Sequence, residues 1–213
     1  MNNLSVNNKK IDTILVLDFG SQYTQLIARR IREIGVYCEI HPWDSSDEEI
    51  RSFQASGIIL SGGPESVTAR HSPRAAESIF SLSVPILGIC YGMQTMAVQL
   101  GGTVEGSHTS EFGYAQVRRT SDERLFMDSV DHEDRDGQQF LDVWMSHGDK
   151  AIKLPNDFRT IAKSKNSKFA GIENKKLNIY GLQFHPEVVH THQGLSLIHI
   201  SEPTRQAEMS YAV

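Results

Sequence analysis

Residues 86–94 read Ile-Leu-Gly-Ile-Cys-Tyr-Gly-Met-Gln. An apolar run crosses Gly88 and reaches Cys90, after which Met93, Met96, Ala97 and Leu100 recur at helical spacing. This pattern predicts a buried strand that turns sharply into a helix with a cysteine at the corner, the form of a nucleophile elbow. Gly88 and Gly92 flank the corner because no Cβ is tolerated where the backbone folds back so tightly. The thiol is placed at a helix N-terminus, where unpaired N–H groups favour thiolate over thiol. The corner therefore assigns a chemistry, nucleophilic attack by sulfur, before the rest of the fold is considered.

The segments before the corner predict an alternating α/β order. Apolar runs at Thr13–Leu17, Tyr37–Ile40, Gly57–Leu60 and Pro85–Ile89 read as buried strands. Between them Gln25–Ile34 (ending at Gly35), Ser45–Arg51 and Arg74–Leu82 read as helices. Such an order implies a three-layer α/β fold with a mostly parallel central sheet and helices on both faces. Sites in such sheets form at the C-terminal ends of the strands, where the turn after residue 17, the Gly62-Gly63 loop and Cys90 all fall. The second half reads as a small antiparallel β portion, with strands or hairpin arms at Gly101–Glu105, Tyr114–Arg119, Leu141–Met145, Thr160–Lys165, Phe169–Glu173 and Ile179–Phe184. Ser121–Gln139 reads as a charged surface excursion.

With 213 residues, 39% of them hydrophobic and 22% charged, the chain suits one soluble α/β domain. A net charge of -5 does not suggest a nucleic-acid surface. The only cysteines, Cys38 and Cys90, form no disulfide framework and fit a reducing compartment, so the cytoplasm is the expected location. No apolar run reaches membrane-spanning length. Residues 1–10 are polar and read as a disordered leader rather than a secretory signal. The domain proper is expected over residues 11–194. From Leu195 to Arg205 the sequence matches the translation of a transposase adapter used in sequencing-library preparation. Residues 195–213 are therefore expected to be an artefact, with the natural protein continuing beyond Gly194. The alternative is a genuine C-terminal helix.

A thiol nucleophile needs a base held by an orienting group. Ile179–Phe184 predicts a strand that ends at His185-Pro186-Glu187, so the carboxylate can reach back to the imidazole two residues earlier. His41, His71, His108 and His132 lie in loops without an obvious paired acid and read as surface residues. Cys38, inside a predicted strand, reads as structural. An oxyanion hole requires fixed N–H donors. The Tyr91 N–H follows the nucleophile, and Ser61-Gly62-Gly63-Pro64 closes a neighbouring strand. That loop lacks the Lys-Ser/Thr ending of a Walker A phosphate loop.

These motifs together resemble the class I, or triad, glutamine amidotransferases, which share a flavodoxin-like fold. The resemblance implies Cys90 as nucleophile, His185 as general base and acid, and Glu187 as the orienting carboxylate. It implies an oxyanion hole from Gly62, Gly63 and Tyr91, and glutamine contacts from Gln94, Ser146, His147 and Gly148. Leu17 to Tyr23, Met145 to Asp149, and His185 to Val188 with Thr191 and Gly194 resemble the amidotransferase domain of the GMP synthase family. That likeness implies hydrolysis of L-glutamine, with ammonia delivered to an ATP pyrophosphatase domain or subunit that aminates XMP. ATP and Mg are expected only for that partner, with no cofactor or metal in this chain. The partner's Ser-Gly-Gly-Val-Asp-Ser type of loop does not occur here, so this chain alone is not expected to make GMP. Asp149 and Lys150 are weighed as docking residues against a plain exposed turn. Two alternatives stand beside the amidotransferase: a γ-glutamyl peptidase or hydrolase, and a non-catalytic flavodoxin-like binding module.

Overall fold

The computed structural model describes residues 12–120, 124–126 and 129–198. The leader expected at residues 1–10 and the part of the expected artefact beyond residue 198 lie outside the described residues. In chain order the elements begin β1 (Thr13–Asp18), α1 (Thr24–Glu33), β2 (Tyr37–Pro42), α2 (Asp47–Phe53) and β3 (Gly57–Leu60). A 3-10 turn (Glu77–Ser81), β4 (Ile86–Ile89) and α3 (Tyr91–Gln99) follow. The second half holds β5 (Thr103–Arg119), a 3-10 turn (Arg124–Phe126), β6 (His132–Glu133), β7 (Gln139–Lys153), β8 (Arg159–Lys163), β9 (Gly171–Asn174), β10 (Ile179–Leu182) and α4 (Gly194–Ile198).

Among the described residues, ten strands join one sheet in the order β2-β1-β3-β4-β10-β9-β8-β5-β7-β6. The strands β2, β1, β3, β4 and β10 run parallel, and antiparallel pairing begins between β10 and β9. The expected mostly parallel α/β core is present, and the antiparallel portion continues the same sheet. Side-chain alternation along β1 splits the core into two layers. Ile14 and Val16 pack with Ile27, Ala28 and Ile31 of α1. Leu15 and Leu17 pack on the other face with Ile50 of α2 and Met93, Met96 and Ala97 of α3. Helix α2 starts from a reciprocal capping box: Ser46 accepts from the Glu49 N–H, and the Glu49 carboxylate accepts from the Ser46 N–H.

Several segments differ from the sequence expectation. The helix expected over Arg74–Leu82 is only the 3-10 turn Glu77–Ser81. Its first residues are held in another conformation, because the Gln99 side-chain amide takes both the N–H (3.2 Å) and the C=O (2.8 Å) of Ala75. The separate strands expected at Gly101–Glu105 and Tyr114–Arg119 are one strand, β5, and Leu141–Met145 extends into β7 through Lys153. The two long strands pair antiparallel, and a register shift between Gly106 and Glu111 absorbs the irregularity that reads in sequence as a break. The segment Ser121–Gln139, where described, is not wholly a surface excursion. Leu125 and Phe126 are buried in the core, and His132–Glu133 pairs with β7. Leu197 and Ile198 of α4 are also fully buried.

The close approach at the corner is severe. A Cβ on Gly92 would overlap the Leu60 carbonyl group of β3, and one on Gly88 would stand 2.7 Å from the Met93 nitrogen. Backbone rather than flexible side chain occupies both spaces, so Gly92→Ala is expected to lower unfolding stability by about 3 kcal/mol, the upper end for overpacking. A urea melt measures this; an unchanged midpoint would contradict the packing described.

Candidate active site

Cys90 stands between β4 and α3 with φ +50° and ψ −104°. A non-glycine residue in that region stores backbone strain on the order of 1–3 kcal/mol, which the surrounding structure must over-determine. It is held on both sides: its N–H donates to the Leu182 carbonyl at 2.7 Å, and its own carbonyl accepts from the Gln94 N–H at 3.1 Å. The side chain is 5% exposed. Its thiol faces the Ser146 carbonyl at 3.5 Å.

Parallel pairing of β4 with β10 sets Ile89 opposite Leu182, so the residues after β10 emerge beside Cys90. His185 is among them. Its Nδ1 bonds Glu187 Oε1 at 2.8 Å, with both side chains buried. A proton on Nδ1 leaves Nε2 as the second ring nitrogen, and the Cys90 side chain lies near enough to the ring to raise its proton affinity. Burial by itself depresses the basicity of this imidazole. Hydrogen bonds to Cys90 and Glu187, with the charge on each, override it and push the pKa from 6.5 up to about 10. The turn is fastened by its backbone. The His185 N–H donates to the Trp144 carbonyl at 3.0 Å. Thr191 bridges the two segments: its hydroxyl donates to the His185 carbonyl (2.7 Å) and accepts from the Trp144 N–H (3.2 Å). Arg30 of α1 donates to the Glu187 carbonyl at 3.2 Å. The Tyr23 ring meets the imidazole edge-on at 5.3 Å.

Beside the sulfur lies a cavity of about 310 Å³. Cys90, Tyr91 and Gln94 line one side, Gly63 to Ser66 another, and Phe112 with Ser146 to Asp149 the rest. Of the residues expected to form an oxyanion hole, Gly63 and Tyr91 reach the cavity. Gly62 does not line it, and an added Cβ there would lie 3.2 Å from His185 Cε1. Tyr91 opens α3, so its N–H has no acceptor within the helix. All four residues expected to contact substrate, Gln94, Ser146, His147 and Gly148, line the cavity.

Sequence reading missed how these walls are held. His147 is buried, with Nδ1 on the Asp149 carbonyl at 2.9 Å and Nε2 on Glu111 Oε2 at 3.2 Å. Burial alone would raise the Glu111 pKa, yet bonds from His147, Ser164 and Asn166 hold it below the ordinary carboxylate value. Gln183, fully buried, lies within 3.8 Å of the sulfur and was also missed. It sits in what reads as one more apolar strand, and no pattern within the strand distinguishes it. Asp149 faces inward: its carboxylate accepts from Ser66 Oγ (2.6 Å) and the Val67 N–H (3.1 Å), bracing the loop after β3. His41 and His132 do have acidic partners, Glu39 at 3.1 Å and Asp142 at 2.6 Å, contrary to the sequence expectation. Neither histidine lines this cavity.

Comparison with known proteins places the chain in a family. Residues 15–201 match the family model "Glutamine amidotransferase class-I". The chain is 60% identical over 185 residues to GMP synthase [glutamine-hydrolyzing] of Proteus mirabilis, covering 87% of this chain and 35% of the relative. It is 61% identical over 181 residues to the protein of the same name from Ectopseudomonas mendocina, covering 85% and 34%. The chain thus spans about a third of the length of the curated relatives it matches. Among solved structures, a candidate GMP synthase subunit from Thermoplasma acidophilum superposes with a TM-score of 0.76 at 30% identity, over 93% of this chain and 98% of that one. A glutamine amidotransferase of Thermotoga maritima shares the fold with a TM-score of 0.61 at 20% identity, over 94% and 86%.

The raised His185 pKa makes a linkage prediction. A group whose pKa rises on folding adds stability that is complete below its unfolded value, here 6.5, and is lost as pH climbs to about 10. Wild-type stability is therefore expected to decline across that window. Glu187→Gln is expected to flatten the decline, since it removes one of the charges that raise the pKa. Urea midpoints at several pH values measure the difference; parallel profiles would show that Glu187 does not hold the proton on the ring.

Proposed function

The chain belongs to the class I glutamine amidotransferases, and from that premise we propose that it hydrolyses L-glutamine to glutamate and ammonia through a cysteinyl thioester at Cys90. The observation that carries this reading is the buried Cys90–His185–Glu187 cluster opening on the 310 Å³ cavity. With a pKa of about 10, His185 holds its proton at neutral pH and begins the cycle as the acid. The Cys90 sulfur attacks the carbon of the side-chain amide, and the carbonyl oxygen becomes an oxyanion held by the Gly63 and Tyr91 N–H groups. As the C–N bond breaks, His185 Nε2 gives its proton to the departing ammonia. The neutral ring then takes a proton from water, whose oxygen adds to the thioester carbonyl. Breaking of the C–S bond releases glutamate and restores the sulfur anion. Removing one oxyanion donor is expected to cost about 3 kcal/mol of barrier.

Every group in this cycle comes from the chain itself, so the reading needs no cofactor. Because relatives at about 60% identity carry the GMP synthase name, we assign the ammonia to an ATP pyrophosphatase domain or subunit that aminates XMP. ATP and Mg belong to that partner. The two free cysteines suit a reducing cytoplasm. Among the described residues no helix is long and apolar enough to cross a membrane.

Cys90→Ala is expected to abolish ammonia release from glutamine while leaving the circular dichroism spectrum unchanged. Retention of the wild-type rate would refute the assignment. A parallel panel of γ-glutamyl peptides separates the peptidase alternative: the amidotransferase reading expects free glutamine to be preferred.

A further inference from the structure

We infer that Gln183 is a catalytic donor to the Cys90 sulfur, with its polarity imposed by a relay of side-chain amides that starts at the Asp149 carbonyl. This inference rests on the glutaminase reading of the site. A carbonyl oxygen can only accept, so the group of Gln94 that faces the Asp149 carbonyl at 2.8 Å must be its Nε2 amide. The same nitrogen directs its other hydrogen to Gln183 Oε1 at 3.4 Å. With the oxygen of Gln183 turned to Gln94, its Nε2 is the end that faces Cys90 Sγ, at 3.8 Å. Two amides, each ambiguous alone, are thereby oriented by one backbone carbonyl.

The setting makes this orientation matter. Gln183 is 0% exposed, so water does not supply alternative partners to its amide. Gln183 itself is fixed by its backbone N–H, which donates to the Ala170 carbonyl at 2.9 Å. The Cys90 sulfur lies 3.5 Å from the Ser146 carbonyl oxygen. Once the sulfur is ionised that carbonyl dipole opposes the charge, and the remaining donors are the His185 ring and the Gln183 amide. His185 gives up its proton when ammonia leaves. Gln183 carries no exchangeable charge and serves the sulfur throughout the cycle, including its second departure as leaving group from the thioester.

The test uses Gln183→Glu, which keeps an acceptor for Gln94 but turns an oxygen toward the sulfur, and Gln183→Met, which keeps length and bulk but cannot donate. Two quantities are read: the second-order rate of Cys90 alkylation by iodoacetamide at neutral pH, located by peptide mass, and kcat and KM for glutamine. A hydrogen bond to a charged atom implies at least about a tenfold fall in alkylation rate and in kcat for both variants, with the larger fall in Gln183→Glu. KM should change less than about threefold, because Gln183 does not line the cavity. A purely structural role would not slow the thiol in a variant with wild-type unfolding midpoint. Alkylation within twofold of wild type in folded Gln183→Met overturns the inference, whether or not Gln183→Glu folds. If wild type alkylates at Cys90 yet never hydrolyses glutamine, the glutaminase reading fails while the alkylation rates still decide the role of Gln183.

Discussion

The parallel pairing of β4 with β10 is the constraint on which the site depends. These strands are far apart in sequence, yet their C-terminal ends lie level, with Ile89 opposite Leu182. The next ladder bond runs from the Cys90 N–H to the Leu182 carbonyl at 2.7 Å. One register therefore delivers the sulfur from one strand and Gln183, His185 and Glu187 from the other. A slip of a single residue would turn the side chains to opposite faces. The Gly92 contact against β3 serves the same end, since only a helix packed this closely can begin directly after Cys90.

Electrostatics then gives the register its chemistry. An imidazole and a carboxylate buried this deeply would be costly if unpaired. Glu187 offers one oxygen to His185, and Oε2 has no protein partner among the described residues, so its charge is spent chiefly on the ring. The antiparallel half supplies the other wall. The bulged pairing of β5 with β7 brings Glu111 against His147, and the backbone from Ser146 to Asp149 follows as a rigid edge of the cavity. Asp149 links the two halves: its carbonyl meets Gln94 and His147, and its carboxylate braces Ser66 and Val67. The parallel half thus presents Cys90, His185 and Glu187, and the antiparallel half encloses the cavity beside the sulfur.

The parallel half was largely legible in sequence because its signals are local. The apolar run into Cys90, the Gly-Gly loop, and an acid two residues beyond a histidine each carry their geometry within a few positions. The antiparallel half was less so. Gly106 and Gly113 look like breaks, yet the chain passes through both as one strand, because the pairing partner and a bulge decide the matter. The helix expected over Arg74–Leu82 lost to the Gln99 side chain, a tertiary contact invisible in the local pattern. Glu111 and Gln183 escaped notice for the same reason. Each owes its position to a neighbouring strand, and nothing in its own segment marks it.

The most direct measurement of the central claim is acid quenching of the chain during turnover with isotopically labelled glutamine, followed by mass spectrometry of its peptides. The account predicts a γ-glutamyl group in thioester linkage on the peptide that contains Cys90, cleared by hydroxylamine and absent from unreacted protein. Steady release of labelled glutamate with no acyl group ever found on that peptide would contradict it.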